Sequence, residues 1–210
     1  MNEHLGVAAR PSTAFVELRH ASTDHPIFVV VPERRLLAID GVGKPRAADF
    51  HAAAAVLADV HRAVRTRLPR DRQATAPTPV QESIWWPLGE TSTTEIADAF
   101  DGDSAWHWRQ MIELQRSATD EQVLAAIDDV RRAAGRPVPL IRPVSFVEGL
   151  VGQLLHVGGQ ETLATSVRRL FEGITAAGYR PSGGLHILVL ADPDRVPPGR
   201  GRMIIRQPIG

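Results

Sequence analysis

The order strand, helix, strand, strand occurs twice along this sequence, and this repeat constrains the fold more than any other feature. In the first half, Leu37-Ala38-Ile39 leads into a glycine turn, a helical segment and two strands. In the second half, Leu154-Leu155-His156 leads through another glycine turn into the same order. With one crossover helix in each half, most strand pairs must be antiparallel. The sequence therefore predicts an α+β fold with two related β-α-β-β units and a groove along their junction.

Three helices are predicted from the spacing of apolar residues. Residues 50–64 carry an apolar stripe with steps of three and four positions, which is typical of an amphipathic helix. Thr119 and Gln122 have the spacing of a capping box, and Gly135 lies where that second helix should end. Residues 161–177 predict the third helix.

The remaining segments are predicted as strands and polar connections. Residues 27–31 and 36–39 are interpreted as a hairpin, 69–82 as a loop, and 89–104 as a loop or a short helix. We expect residues 1–25 to form an arm with a short edge strand at 15–18, and residues 26–210 to form one domain with halves at about 26–115 and 119–210. The other predicted strands are 83–88, 106–114, one or two strands within 143–157, 185–190 and 203–205.

Composition excludes several functional classes. The 210 residues contain 24 Lys+Arg and 24 Asp+Glu, so the formal net charge of zero gives no reason to expect nucleic acid or an anionic membrane as a partner. The chain has no cysteine, which excludes disulfides and thiol chemistry. No apolar run reaches the length of a membrane span, and the first residues lack the apolar core of a signal peptide. We therefore expect a cytoplasmic globular protein.

All four tryptophans of the chain lie between positions 85 and 108. Alternate residues of a strand face opposite sides, so Trp85 and Trp86 must point in opposite directions, whereas Trp106 and Trp108 can share a face. A single tryptophan is most simply a core residue. Two adjacent tryptophans on opposite faces cannot fill the same core, so the cluster favours a surface that stacks a flat ligand.

Motifs for metal, phosphate or serine-hydrolase chemistry are absent from the sequence. The histidines lack metal-ligand spacing, Gly41-Val42-Gly43-Lys44 lacks the spacing of a phosphate loop, and no G-x-S-x-G segment occurs. We therefore expect no metal and no cofactor. Glu148 lies in an apolar strand region and is either a pocket group or a solvated edge charge. His156 is either a hydrogen-bonded core residue or a base.

Six segments, taken together and in order, resemble the GyrI-like small-molecule-binding family. They cover most of the chain from about residue 26. The segments are Leu37 to Pro45 (LAIDGVGKP), Ile84-Trp85-Trp86, Trp106 to Ile112 (WHWRQMI), Val147 to Gly158 (VEGLVGQLLHVG), Ala191-Asp192-Pro193 and Ile204 to Pro208 (IIRQP).

The resemblance implies two β-α-β-β units of the SHS2 type, related by a pseudo-twofold axis, with a ligand cleft between them. Members of this family sense or sequester hydrophobic, often cationic or planar compounds. One branch hydrolyses the cyclopropane of yatakemycin-type DNA alkylators inside an aromatic cage. By position, the resemblance assigns ligand contacts to Trp85, Trp86, Trp108 and Gln153, and matches His156. We also expect Met111 and Phe146 to line the cleft.

The sequence departs from the family at its acidic position. Ile187 and Val189 occupy the places of the acidic residue and the tyrosine in the strand before Asp192, and Gly159-Gln160 replaces a Pro-Tyr pair. We expect Ile187 and Val189 to line the cleft without a central acid. A neutral apolar ligand should therefore fit better than a cation, and hydrolysis, which needs an acid or base, is less strongly implied.

Three functions follow as hypotheses. The first is binding of flat aromatic small molecules for sequestration, sensing or self-resistance to an antibiotic, without chemistry. The second is a cofactor-independent hydrolase of reactive small molecules, with Glu148 or His156 acting on water. The third is the effector domain of a regulator whose DNA-binding part is a separate chain, because no helix-turn-helix or basic patch occurs here.

Overall fold

The structure is a computed structural model, which describes residues 20–44, 47–75, 79–88, 96, 106–135 and 137–210. The expected arm strand at 15–18 and nearly all of the expected loop at 89–104 lie outside the described residues. The strands are β1 (Ile27–Val31), β2 (Arg34–Gly43), β3 (Gln81–Pro87), β4 (Trp106–Glu113), β5 (Arg142–Phe146), β6 (Gly149–Val157), β7 (Leu185–Ala191) and β8 (Arg202–Pro208). The helices are α1 (Ala48–Arg67), α2 (Arg70–Thr75), α3 (Asp120–Ala134) and α4 (Leu163–Ala176), and α4 follows a 3-10 turn at Gln160–Thr162.

All eight strands belong to one antiparallel sheet with the order β1-β6-β8-β7-β3-β4-β2-β5. One unit consists of β2, α1, β3 and β4, and the other consists of β6, α4, β7 and β8. The two units meet where β3 pairs with β7. The predicted α+β fold with two β-α-β-β units is therefore confirmed.

The two edge strands are exchanged between the units. β1 leads directly into β2 but pairs with β6, whereas β5 leads into β6 but pairs with β2. The expected hairpin of residues 27–31 and 36–39 is therefore wrong. A flat sheet would separate β1 from β2 by roughly 29 Å, yet only Pro32 and Glu33 connect them, which span about 10 Å. The sheet consequently curls into a half-barrel that brings its two ends together.

The helices cover one face of this sheet, which we call the helix side. α1 packs on β2 and β4, α4 packs on β6 and β8, and α3 packs on α1. Most of the hydrophobic core lies between these helices and the sheet. The opposite face forms the interior of the half-barrel, where smaller apolar clusters surround buried charged groups. In the described part of the chain, no helix has the length and apolar character needed to cross a membrane.

Local sequence signals explain where several elements begin and end. The Oγ1 of Thr119 accepts a hydrogen bond from the backbone N–H of Gln122 at 3.2 Å, and the side chain of Gln122 accepts one from the backbone of Thr119 at 3.0 Å. Gly135 ends α3 with a left-handed φ of 59°. The segment 69–82 is not only a loop, because it contains α2 and the first two residues of β3.

Candidate functional site

Strand alternation divides the residues that the sequence singled out between the two faces of the sheet. The helix side carries Trp85, Trp108, His156, Ile187 and Val189. The barrel interior carries Trp86, Met111, Phe146, Glu148 and Gln153. The ten residues therefore do not surround a single cavity, and each face has to be considered by itself.

An aromatic group forms on the helix side where α1 begins. The ring of Phe50 lies 4.7 Å from that of Trp85 and 5.3 Å from that of Trp108, measured between centroids. The indole of Trp108 crosses the backbone of β2 at Gly41, where an added Cβ would lie 2.2 Å from its Cζ2 atom. Only glycine at position 41 allows this close approach. The segment Gly41-Val42-Gly43, predicted as a turn, is the end of β2, and its first glycine makes room for an indole ring.

Between α1 and α4, the middle strands present six side chains to the helix side, which we call the central strip. Neither helix packs extensively on β3 or β7, in contrast to their contacts with the flanking strands. Half-buried Gln81 and Val189 bring one end of this strip to the surface, whereas Trp85 and Ile187 are buried. The members of the strip are Gln81, Ser83, Trp85, Leu185, Ile187 and Val189.

The polar groups of the central strip are neutral. The indole N–H of Trp85 donates to the Oγ of Ser83 at 2.9 Å. Gln81 donates to the side chain of Gln110 at 3.2 Å, and Gln110 donates to the carbonyl oxygen of Phe50 at 3.4 Å. None of the six strip residues carries a charge. The surface that they form is aromatic and apolar, with uncharged hydrogen-bonding groups along β3.

Trp86 occupies the other face of β3, as the alternation predicts. The guanidinium of Arg109 lies 5.8 Å from the centroid of its ring, within cation–π distance. The same arginine pairs with Asp40 at 2.6 Å, and Asp40 also pairs with Arg142. Because Asp40 and Arg142 are exposed, this end of the interior face is open to solvent.

A chain of buried ionic groups crosses the barrel interior. Arg34 donates two hydrogen bonds to Glu82, at 2.7 and 2.8 Å. The two ring nitrogens of His186 lie 3.1 Å from Glu82 and 2.6 Å from Glu148. Glu148 then accepts a hydrogen bond from Arg206 at 3.4 Å. All five side chains have relative accessibilities of 6% or less, and we call them the ionic chain.

The central histidine of the ionic chain is held as an imidazolium. A neutral imidazole has one N–H, so it cannot donate to two ionised carboxylates. Burial opposes the charge, but the charge and hydrogen bond of Glu148, followed by those of Glu82, outweigh burial and raise the pKa of His186. Burial likewise opposes ionisation of Glu82 and Glu148, but Arg34 and His186 hold the pKa of Glu82 below its usual range, and His186 and Arg206 do the same for Glu148.

Charge compensation explains why this chain can be buried. Arg34 also lies 3.8 Å from Glu113, so three cations (Arg34, His186, Arg206) face three carboxylates (Glu82, Glu113, Glu148). Sequence reasoning identified only Glu148. The available signal was a buried charged or titratable residue at an interior position of four strands: Arg34 on β2, Glu82 on β3, His186 on β7 and Arg206 on β8. That signal requires knowledge of which strand face is the interior.

His156 lies on the helix side beneath the start of α4. Its Nδ1 is 2.8 Å from the Oγ of Ser166, and its Nε2 is 3.0 Å from the carbonyl oxygen of Gly159. Burial lowers the pKa of His156, although the Gly159 carbonyl and the charge of Glu161 act in the opposite direction. His156 and Glu148 thus lie on opposite faces of the sheet. Within the described ranges, no cluster of three or more side chains could hold a metal ion.

Comparison with known proteins shows similarity of fold without close similarity of sequence. No family model and no curated protein matches the chain. A solved structure of an uncharacterized conserved protein from Listeria innocua matches 92% of this chain and 96% of its own, with a TM-score of 0.77 and 22% identity. A hydrolase from Listeria innocua matches 93% and 96%, with a TM-score of 0.72 and 22% identity. The C-terminal domain of EcmrR matches 88% and 96%, with a TM-score of 0.55 and 7% identity. The chain thus shares its fold with a hydrolase and with one domain of a larger protein.

Proposed function

We propose that this chain is a GyrI-like protein that binds flat, neutral, aromatic small molecules on the central strip between α1 and α4. The observation that carries this proposal is the aromatic pair of Phe50 and Trp85, 4.7 Å apart, at the side of a strip that neither α1 nor α4 covers extensively. A planar ligand stacked on these rings gains about 0.5–1.5 kcal/mol per ring pair beyond the burial of its area.

The neutral character of the strip supports an uncharged ligand. Among the residues that the structure describes, the acids on or beside the central strands, Glu82 and Glu148, face the barrel interior and are already paired with Arg34, His186 and Arg206. A cation stacked on Trp85 would therefore lose its hydration without gaining a carboxylate. We assign Trp85, Ile187 and Val189 to ligand contact and Trp108 to support of Phe50. Glu148 is given a structural role.

The second candidate function is hydrolysis of a reactive small molecule, such as a cyclopropane-bearing DNA alkylator of the yatakemycin type. The observation in its favour is the fold shared with the Listeria innocua hydrolase. In the described part of the chain, the polar side chains along the strip are Gln81, Ser83 and Gln110, which can hold a water molecule but cannot remove its proton near neutral pH. Binding without turnover is therefore the primary proposal.

The experiment compares acridine, which is neutral near neutral pH, with 9-aminoacridine, which is cationic. We expect saturable quenching of tryptophan fluorescence by both, with about tenfold tighter binding of acridine, because one unpaired charge costs roughly 1.4 kcal/mol or more. Ile187→Glu, which places an acid on the strip, should reverse this preference. Trp86→Phe is the matched control, because Trp86 lies on the opposite face and its substitution should change neither affinity.

The outcomes separate the candidates. Absence of saturable quenching by either compound would contradict the binding proposal, as would an unchanged preference in folded Ile187→Glu. Incubation with a spirocyclopropane alkylator, followed by mass spectrometry of the small molecule, tests the second function. A gain of one water would establish hydrolysis, and recovery of the unchanged compound would leave binding as the function.

A further inference from the structure

A serine hydroxyl and an imidazole are hydrogen-bonded on the outer flank of α4. Ser166 lies in the first turn of α4, and its Oγ is 2.8 Å from Nδ1 of His156 on β6. This distance is within the range that couples a nucleophile to its general base. Ser166 is partly exposed, whereas His156 is buried, so Ser166 is the member of the pair that lies nearer to solvent.

The contacts of His156 determine its tautomer. Its Nε2 lies 3.0 Å from the carbonyl oxygen of Gly159, which can only accept, so Nε2 must carry the proton. Nδ1 is then the acceptor, and the hydroxyl of Ser166 donates to it. Burial, which lowers the pKa of His156, keeps the ring neutral and able to take a proton near neutral pH. The nearby charge of Glu161 stabilises the imidazolium that such a transfer would create.

This pair does not belong to the central strip. Ser166 and Gly173 are seven residues apart and therefore share one face of α4. At Gly173 an added Cβ would lie 2.5 Å from Pro26, and Arg169 on the same face donates to the carbonyl oxygen of Thr23 at 2.8 Å. Thr23 and Pro26 immediately precede β1, which is an edge strand of the sheet. The hydroxyl of Ser166 thus faces the outer flank, on the side of α4 away from β3 and β7.

We infer that Ser166 is a nucleophile for small activated esters, with His156 as its general base. The Oγ of Ser166 attacks the ester carbonyl while its proton passes to Nδ1 of His156. The bond from the acyl carbon to the alcohol oxygen breaks, and His156 returns the proton to the departing alcohol. Water then hydrolyses the acyl-serine by the same base. The first turn of α4 places the positive end of the helix dipole beside the developing oxyanion.

The packing around Ser166 limits the substrate class. Ser166 is only partly exposed, and Thr23 and Pro26 pack on the same face of α4, so short acyl chains on good leaving groups are the expected substrates. This activity is independent of ligand binding at the central strip, because the two sites lie on different sides of α4. Loss of acridine binding would therefore leave this inference intact, and its failure would leave the binding proposal intact.

The first test uses an alkyl fluorophosphonate, whose phosphorus forms a bond to the serine oxygen as fluoride leaves. Intact and peptide mass spectrometry should show one phosphonyl group on Ser166 of the full-length protein. Ser166→Ala should abolish the adduct, whereas Ser182→Ala, at an exposed serine, should keep it. His156→Gln should slow the labelling by roughly 100-fold or more, as expected for loss of a general base.

A second test exploits the absence of cysteine in the chain. Ser166→Cys introduces a single thiol beside His156, and Ser182→Cys introduces one at an exposed control position. We expect iodoacetamide near neutral pH to alkylate the first thiol about tenfold faster, and the advantage should vanish in the double variant with His156→Gln. Absence of phosphonylation at Ser166, or equal alkylation rates of the two thiols, would overturn the inference. The hydrogen bond between Ser166 and His156 would then be only a structural contact between α4 and β6.

Discussion

Nδ1 of His186 on β7 lies 2.6 Å from Oε1 of Glu148 in the two-residue connection between β5 and β6. This hydrogen bond links the connection that follows the edge strand β5 to β7 in the middle of the sheet, inside the half-barrel. The carboxylate is one of two that hold the imidazolium, and both partners are almost fully buried. The barrel therefore depends on a charged contact where most small domains have apolar packing.

Glu148→Gln should destabilise the protein strongly. The substitution leaves His186 and Arg206 charged and buried without this partner, and breaking a buried ion pair on one side costs about 3–5 kcal/mol. Urea unfolding at neutral pH measures the loss. Glu33→Gln is the matched control, because Glu33 occupies the other two-residue connection, is exposed and bonds only Ser145 in the described structure. Similar midpoints for the two variants would refute a structural role for Glu148.

His61 should make the protein sensitive to mild acid. Burial, with a smaller effect from the charge of Arg65, lowers the pKa of His61 from 6.5 to about 4. The folded state thus binds this proton less readily than the unfolded chain, so stability is complete above pH 6.5 and falls as the pH decreases towards 4. The contribution is at most about 3 kcal/mol. Thermal unfolding between these pH values should show a flatter profile for His61→Gln, whereas His51→Gln, on the exposed face of α1, should follow the unmodified protein.

Gly41→Ala should displace the indole of Trp108. The new methyl group would lie 2.2 Å from Cζ2 of that ring, and overpacking of this kind costs about 1–3 kcal/mol. Chemical denaturation of both single variants and the double variant measures the coupling. In the Trp108→Ala background the extra methyl group no longer meets the ring, so the cost of Gly41→Ala should largely disappear. If Gly41→Ala lowered the free energy of unfolding equally with Trp108 and with Trp108→Ala, the close approach of the indole would not explain the glycine at position 41.

The capping box of α3 should contribute measurably to stability. Thr119→Ala removes the side-chain acceptor for the backbone N–H of Gln122, which costs about 1 kcal/mol at a helix N-terminus. Thr66→Ala near the end of α1 provides the comparison, since its hydroxyl only donates to the carbonyl of Ala63 at an exposed position. Guanidinium unfolding should give a lower midpoint for Thr119→Ala than for Thr66→Ala. A ranking in the opposite order would argue against the cap.

Local patterns in the sequence predicted most of the elements because their causes are local. The spacing of Thr119 and Gln122, with Gly135 fifteen or so residues later, is sufficient to mark one helix. Likewise, the opposite orientation of Trp85 and Trp86 follows from the geometry of any strand. These inferences need no knowledge of the remaining chain.

Strand pairing and the ionic chain could not be predicted in the same way because both depend on distant partners. Pro32 and Glu33 have the length of a hairpin turn, but here they join one edge strand of a curled sheet to the strand beside the opposite edge. Glu82 lies at the end of a polar, proline-rich segment, and its partners Arg34 and His186 are 48 and 104 residues away. A single sequence shows neither which distant residues lie close together nor which face of the sheet each side chain occupies. The charged groups of the barrel interior could therefore be identified only from the structure.

The exchange of β1 and β5 has a mechanical consequence. The first strand of each half pairs with a strand of the other half, because β1 pairs with β6 and β5 pairs with β2. Unfolding of one half must break the pairing of a strand that belongs to the other half, so the two halves cannot unfold separately. We therefore expect the molecule to unfold as one cooperative unit, so a ligand bound to either half should stabilise both halves against unfolding.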